Sequence, residues 1–338
     1  MRRQRLIASG LLALVVAGVV VTVVLASTGG ARTHAAGVSA GASSRPPESS
    51  ARPGSFAVGL RVLRLVDGSR SVQLPNGTSR PRPLVTYVRY PALAAAGRTD
   101  VRDAPAARAD GPFPLVVFGH GFAVLPQLYA RVLQSWARAG YVVAAPLFPL
   151  ENANAPGGPN EADLINQPAD MRFVISRMLA AANGSGPLAG LIDPARIAVA
   201  GQSDGGDTAL AVAYDRSFRD PRVKAVVVLS GAEIPGLGGF EFPPGSPPLL
   251  ATQGTADTVN PPSFTSGFFD AAHSPKYLLE LLGAEHLPPY SVQQPQLAIV
   301  ERASIAFLDG YLKRKPAALR RLGVRGNVPG TANLIAQP

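Results

Sequence analysis

Short apolar segments alternate with helical patterns along most of this 338-residue chain, and this alternation constrains its fold more than any other feature. Eight segments are predicted as strands: 57–65, 84–90, 114–118, 141–145, 196–200, 225–229, 248–252 and 277–282. Helices are predicted between the later ones, at 125–139, 162–182, 206–215, 262–273 and 295–313. Continuously apolar strands that alternate with helices are typical of parallel sheets covered on both faces. We therefore predict a single α/β domain with a mostly parallel sheet of about eight strands and helices on both faces.

The N-terminus has the arrangement of an export signal. Arginines within residues 2–5 precede an uncharged apolar run from Leu6 to Ala26, and small residues follow. This order is typical of a secretory signal peptide, but the run is also close to the ~20 residues that span a bilayer. Residues 1–35 are therefore predicted to be either a cleaved signal peptide or an N-terminal membrane anchor. In both cases the rest of the chain lies outside the cytoplasm, either secreted or held at the cell membrane.

Composition divides the remainder into three parts. Residues 36–54 are rich in Gly, Ser, Ala and Pro, which predicts a flexible linker. The folded domain is predicted over residues 55–318. The last segment, 319–338, contains the basic pair Arg320-Arg321, and it is predicted to be a basic, disordered tail.

Cysteine count and charge exclude several function classes. The chain has no cysteine, so it contains no disulfide, thiolate nucleophile or thiolate-bound metal. The formal net charge is +10, but four of the arginines lie in residues 1–35 and no aromatic residues are interleaved with the basic clusters. We therefore predict no nucleic-acid partner. No helix or loop of the sequence requires a partner protein.

A Gly-x-Ser-x-Gly motif lies between a predicted strand and a predicted helix. It is Gly201-Gln202-Ser203-Asp204-Gly205, after the apolar strand 196–200. At such a junction the motif is typical of a nucleophile elbow, a turn so tight that only glycines fit beside the serine and its hydroxyl is lifted clear of the sheet. The same pattern at 37–41 lacks a preceding strand, so Ser203 rather than Ser39 is predicted to be the nucleophile.

A serine hydroxyl needs a general base, and the chain has four histidines. His286 follows the last predicted strand, at the carboxyl edge where reactive groups gather in open α/β sheets. It is therefore the predicted base. His273 ends a helix near the opposite edge and is predicted to be a surface residue. His120 follows the strand 114–118 and is predicted to brace its loop.

The base in turn needs a carboxylate to fix its tautomer. Asp257 follows the strand 248–252 and lies between Ser203 and His286 in the sequence, so it is the predicted acid. Glu285, which adjoins the base, and Glu233 remain alternatives at this stage.

Two backbone N–H groups are predicted to stabilise the oxyanion of a tetrahedral intermediate. One belongs to Asp204, the residue after the nucleophile, and the other to Phe122 in the loop after strand 114–118. A carboxylate that faced the site would oppose the oxyanion, so the side chain of Asp204 is expected to face a polar neighbour or solvent.

Four segments, 82–91, 114–122, 166–174 and 196–206, resemble the α/β-hydrolase superfamily. The chain is most similar to bacterial esterases grouped with platelet-activating factor acetylhydrolase, chlorophyllase and dienelactone hydrolase. The resemblance implies an α/β-hydrolase catalytic domain with a minimal cap, catalysis by Ser203, Asp257 and His286, and no metal or cofactor. Gln202 stands where these proteins usually have histidine, and Asp204 where they usually have a small or apolar residue.

The function expected from these observations is an exported serine ester hydrolase, carboxylesterase-like or lipase-like, that acts through an acyl-enzyme on a small-molecule or lipid ester. Two alternatives remain open. One is a catalytically inactive surface or binding protein with the hydrolase fold. The other is an amidase or peptidase that uses the same three side chains.

Overall fold

The computed structural model describes residues 55–95, 97, 99–233, 237 and 240–338. The predicted signal or anchor at 1–35 and the linker at 36–54 lie outside the described residues. The strands are β1 Ala57–Gln73, β2 Ser79–Ala92, β3 Val101–Arg102, β4 Phe113–Gly119, β5 Val142–Pro146, β6 Ile192–Gln202, β7 Val223–Leu229, β8 Leu249–Gly254, β9 Lys276–Leu281 and β10 Ala332–Gln337.

The α-helices are α1 Ala130–Arg138, α2 Gln167–Asn183, α3 Asp204–Tyr214, α4 Pro262–Ala271, α5 Pro288–Ser291, α6 Gln296–Tyr311 and α7 Pro316–Gly326. Short 3₁₀ helices at Arg108–Asp110, Pro126–Tyr129 and Glu161–Asn166 precede β4, α1 and α2. None of the helices in the described ranges has the length and apolar character needed to cross a membrane.

All ten strands form one sheet in the order β10-β9-β8-β7-β6-β4-β5-β2-β1-β3. The six neighbouring strands β5, β4, β6, β7, β8 and β9 pair in parallel. β2 and β1 join this sheet antiparallel next to β5, and β10 joins it antiparallel next to β9. The turn at Pro75-Asn76-Gly77 joins β1 to β2, and Gly77 adopts a φ of +80° there, which glycine tolerates without strain. The predicted single α/β domain with a mostly parallel sheet is confirmed, with ten strands instead of about eight.

The structure corrects the C-terminal prediction. Residues 319–338 are not a disordered tail, because α7 covers the first part and β10 pairs antiparallel with β9 along its whole length. Leu322 of α7 is fully buried in the core between the sheet and its helices. The domain predicted to end at residue 318 therefore extends to the end of the chain.

The two faces of the sheet are covered by different helices. Along β4, Leu115 and Val117 belong to the core under α2, α3 and α4, while Val116 and Phe118 belong to the core under α1 and α6. Successive side chains of a strand point to opposite faces, so a strand buried on both faces must be apolar throughout. This is why the central strands could be identified as continuous apolar runs.

The strand order reverses next to β4. β5 lies on one side of β4, and β6, which comes later in the chain, lies on the other. In an open α/β sheet such a switch point opens a crevice at the carboxyl ends of the strands. The loop after β4 and the turn after β6 therefore face each other across this crevice, which positions Phe122 and Ser203 at the same edge.

Candidate active site

Ser203 is at the sharp turn between β6 and α3. Its φ is +52°, a conformation that costs a non-glycine residue about 1–3 kcal/mol. The surrounding backbone holds it there: the Ser203 N–H donates to Leu229 O at 3.0 Å, and the Ser203 carbonyl accepts from Gly206 N at 2.7 Å. The predicted serine thus has the strained backbone of an elbow, at the carboxyl edge of the sheet.

The glycines of the motif let this turn pack against the loop after β4. A Cβ on Gly201 would overlap the Gly205 carbonyl, and a Cβ on Gly205 would overlap the Gly119 carbonyl. A Cβ on Gly121 would meet the Gln202 side chain at 2.8 Å. The three positions thus require glycine for close backbone approach, and this approach brings the Phe122 loop to Ser203.

Asp257 and His286 form a hydrogen-bonded pair. The His286 Nδ1 lies 2.8 Å from Asp257 Oδ2, and Oδ1 of the same carboxylate accepts from Val259 N and Asn260 N, both at 2.9 Å. Burial favours the protonated acid, but these hydrogen bonds outweigh it and lower the pKa of Asp257 below its ordinary value. The two acids that the sequence left open, Glu285 and Glu233, are exposed.

The other ring nitrogen of His286 contacts Gln202 instead of Ser203. Gln202 Nε2 lies 3.2 Å from His286 Nε2, and no hydrogen bond joins Ser203 Oγ to the imidazole among the described residues. Catalytic hydrogen bonds are often long in proteins without substrate and tighten in the Michaelis complex. All three predicted side chains thus lie at one edge of the sheet, with only the Asp257–His286 contact fully formed.

The orientation of the Asp204 side chain differs from expectation, because it faces the nucleophile. The residue is only 6 % exposed. The Ser203 hydroxyl donates to its Oδ1 at 3.5 Å, and its Oδ2 is buried without a partner in the described structure. Burial and the nearby charge of Glu161 raise the pKa of Asp204 to about 6.

A buried, neutral histidine holds the loop that carries Phe122 in place. His120 is fully buried, and its Nε2 accepts from Phe148 N at 3.0 Å while its Nδ1 lies 2.8 Å from Gly121 O. Burial lowers the pKa of His120 to about 4, so the ring is neutral at physiological pH. Phe122 itself is 40 % exposed at the mouth of the crevice. Within the described residues its N–H has no acceptor and is free for an oxyanion.

Sequence reasoning missed Glu151, which is buried beside the site. Ala123 N donates to the Glu151 carbonyl at 2.8 Å, which ties this loop to the one that carries Phe122. The Glu151 carboxyl accepts from Gln167 Nε2. Burial, together with the charge of Asp204, raises the pKa of Glu151 to about 9. Its place shortly after β5, at the carboxyl edge of the sheet, is the signal that could have identified it.

No three metal-binding side chains of the described residues are arranged to hold a metal ion.

Comparisons with known proteins bear on the fold of the chain. A model of the chlorophyllase family matches residues 104–232, which include β4 to β7 and Ser203 but end before Asp257 and His286. A search of curated proteins found no match. Among solved structures, a ferulic acid esterase from Streptomyces cinnamoneus superimposes with a TM-score of 0.60 at 23 % identity, over 80 % of this chain and 94 % of that chain.

The chain therefore has an esterase-like hydrolase fold and resembles α/β-hydrolase esterases, as the four sequence segments predicted. Because 966 chains of solved structures match, the fold is common and does not by itself indicate a substrate.

Proposed function

We propose that this protein is a serine ester hydrolase that acts through an acyl-enzyme. Ser203 is the nucleophile, His286 the general base and acid, and Asp257 the carboxylate that fixes the imidazole. The backbone N–H groups of Phe122 and Asp204 stabilise the oxyanion.

The reaction follows the usual order for such a relay. Ser203 Oγ attacks the ester carbonyl, its proton passes to His286 Nε2, and the imidazolium then protonates the leaving alcohol. Water enters by the same path in reverse and releases the acid. Asp257 stays ionised throughout and stabilises the imidazolium, which agrees with its lowered pKa.

The observation that carries this proposal is the 2.8 Å contact between His286 Nδ1 and Asp257 Oδ2, at the edge of the sheet where Ser203 adopts its strained turn. A hydrogen bond at Nδ1 leaves Nε2 as the reactive nitrogen. Two independent features thus lie at one edge of the sheet, since neither the hydrogen bond between His286 and Asp257 nor the strained backbone of Ser203 is needed to form the sheet.

The first test is hydrolysis of p-nitrophenyl acetate and butyrate by the wild type and by Ser203→Ala. We expect the variant to lose at least about 10³-fold in kcat/KM, as is usual when a triad serine is removed. Ser39→Ala is the matched control, because Ser39 has the same glycine pattern without a preceding predicted strand, and it should retain full activity. Equal activity of Ser203→Ala and wild type would refute the proposal.

The substrate is proposed to be a carboxylic ester with a small-molecule or lipid alcohol. Esters of increasing acyl length and methyl ferulate, chosen because of the ferulic acid esterase that shares the fold, test the acyl preference. Matched anilides test the amidase alternative. Faster turnover of the anilides than of the esters would move the assignment to an amidase.

A second candidate, a non-catalytic protein with the hydrolase fold, is favoured by one observation. Gln202, and not Ser203, contacts the Nε2 of His286. Absence of hydrolysis of every ester and anilide by correctly folded wild type would favour this candidate.

We also propose that the protein is exported, on the basis of the basic and apolar segment in residues 1–35. Fractionation of cells that produce the full chain tests this. Protein in the medium supports a cleaved signal, and protein in the membrane fraction supports an anchor. Protein confined to the cytoplasm would contradict both.

A further inference from the structure

We propose that Gln202 is a positioning residue that holds the unprotonated Nε2 of His286 and links this base to the loop that carries Phe122. This inference rests on the proposed function. Gln202 is the last residue of β6 and is almost fully buried, and it occupies a position where the resembling proteins usually have histidine.

The orientation of the Gln202 amide follows from its partners. Nε2 lies 3.2 Å from the His286 carbonyl oxygen. A carbonyl oxygen only accepts hydrogen bonds, so the NH₂ group and not Oε1 must face it. The same NH₂ group lies 3.2 Å from His286 Nε2, which must therefore be the unprotonated nitrogen of the ring. The proton of the neutral imidazole is then on Nδ1 and is donated to Asp257.

A chain of donors runs from the Phe122 loop to the base. Gly121 N donates to Tyr129 Oη at 3.3 Å, and the Tyr129 hydroxyl donates to Gln202 Oε1 at 2.6 Å. The Gln202 NH₂ group then donates to His286. The directions are fixed from the base end: the His286 carbonyl only accepts, so Gln202 Oε1 faces Tyr129 and accepts from its hydroxyl. The oxyanion loop and the Nε2 side of the base are thus joined in one network.

This network favours the neutral base and disfavours the imidazolium. The imidazole Nε2 has a single lone pair, so the Gln202 contact must open before Nε2 can take the proton of Ser203 Oγ. The amide NH₂ group cannot accept the resulting Nε2–H, so this proton is left to pass to the alkoxide of the leaving alcohol. Gln202 therefore holds the base ready before the attack and does not retain its proton afterwards.

Other titratable groups also surround the imidazole. Asp257 follows β8, Asp204 begins α3, and Tyr129 precedes α1. Tyr290 of α5 lies near Asp257 and hydrogen-bonds to Ser230 and Thr252. Glu285 precedes His286 and is exposed. Among these groups, Asp204 has a pKa of about 6, which lies within the pH range over which kcat/KM is measured. The contribution of Asp204 to the pH profile must therefore be measured separately.

The tautomer can be observed without any substrate. The chain has four histidines, so ¹⁵N-histidine labelling gives few ring signals, and His286→Gln identifies the one that belongs to His286. We expect a proton on Nδ1 and a bare Nε2 in the wild type above neutral pH. In Gln202→Met, Asp257 still holds the proton on Nδ1, but Nε2 has lost its donor, so the Nε2 resonance should move while the Nδ1–H tautomer persists. A wild-type signal with the proton on Nε2 would overturn the proposal whatever the activity.

The pH profile of kcat/KM is the second readout. Gln202→Met removes the donor while keeping the side-chain length, and it should lower kcat/KM about three- to tenfold and move the acid limb to higher pH. Gln202→Glu places an acceptor at Nε2 and should move this limb further, by about one to three pH units. Tyr129→Phe should shift the acid limb in the same direction by a smaller amount. This variant replaces the Gln202 variants as the test if they do not fold.

Asp204→Asn is the control, and the Gln202 shift should persist in that background. A Gln202→Met or Tyr129→Phe profile that coincides with the wild type would contradict the positioning role while leaving the proposed function intact. The proposed function fails separately, if Ser203→Ala retains ester hydrolysis.

Discussion

At the scale of single residues, a carboxylate directly beside the nucleophile alters the electrostatics expected of this site. Asp204 Oδ1 is 3.5 Å from Ser203 Oγ, and the pKa of Asp204 is raised to about 6. Below that pH the side chain is neutral and does not oppose an oxyanion. Above it the carboxylate is ionised and raises the energy of the tetrahedral intermediate. We therefore expect Asp204 to make hydrolysis less favourable above about pH 6 than a neutral side chain at this position would.

We predict that Asp204→Asn has the same kcat/KM as the wild type at pH 5 and a higher one at pH 8, by up to about tenfold. Asparagine resembles the protonated acid, so the variant differs from the wild type only where Asp204 is ionised. The ratio of the two kcat/KM values between pH 5 and 8 is the measurement. A ratio independent of pH, or a loss of several hundredfold with the fold intact, would show that the side chain has another role.

The positions of Ser203, Asp257 and His286 could be predicted because each follows a recognisable strand, and parallel strands bring their carboxyl ends to one edge. The contact between Gln202 and His286 could not, because it joins positions 84 residues apart through side-chain orientation alone. Glu151 was missed for a different reason. A carboxylate in a loop rich in Asn, Pro and Gly is usually solvated, and only the packed loop shows that this one is buried.

At the scale of elements, one buried arginine joins β2 to α2 and to the 3₁₀ helix that precedes it. Arg82 of β2 makes hydrogen bonds to both oxygens of Asp163, in the 3₁₀ helix before α2, and to both oxygens of Asp170 in α2. Arg70 of β1 adds a contact to Asp170 at 2.6 Å. Because these groups are almost fully buried, the two carboxylates depend on the arginine for their compensation.

Arg82→Ala is therefore predicted to lower the free energy of unfolding by about 3–5 kcal/mol, since it leaves two buried acids without their main partner. The matched control is Arg216→Ala, whose side chain pairs with Glu241 while 80 % and 44 % of the two side chains remain exposed. It should cost less than about 1 kcal/mol. Urea unfolding measures both, and equal effects would contradict the assigned importance of the buried network.

The eight predicted strands were recognisable because each presents a continuous or alternating apolar pattern. The two that were missed lack this pattern: β3 has two residues, and β10 is an edge strand whose apolar run between Asn333 and Gln337 is only three residues long. In α7 the arginines lie on the exposed side, whereas Ala318 and Leu322 are buried. Two buried residues are too few to distinguish a packed helix from a basic tail.

At the scale of the whole molecule, burial of acids makes stability depend on pH. The pKa of Glu151 is raised to about 9 from 4.5, and burial also raises that of Asp207 well above its ordinary value. The folded chain therefore holds protons that the unfolded chain has released. Because stability falls with pH wherever the folded state binds more protons, the protein should lose stability as the pH rises from about 5 to about 9.

Glu151→Gln is predicted to remove much of this dependence. The neutral amide can still accept the hydrogen bond from Gln167, and it carries no charge to be desolvated. Urea unfolding should show similar stabilities for variant and wild type at pH 5 and a more stable variant at pH 9. Glu285→Gln, at an exposed position, is the control and should follow the wild type at both values. If the free energy of unfolding of Glu151→Gln fell with pH as steeply as that of the wild type, the assignment of the pH dependence to Glu151 would be refuted.

The central claim is that Ser203 becomes the covalent nucleophile of this site. It is tested most directly by reaction of the protein with a fluorophosphonate, followed by mass spectrometry of the digested adduct. We predict one adduct per chain, on Ser203, which disappears in Ser203→Ala and remains in Ser39→Ala. An adduct on another residue, or ester hydrolysis by a protein that forms no adduct at Ser203, would contradict the account.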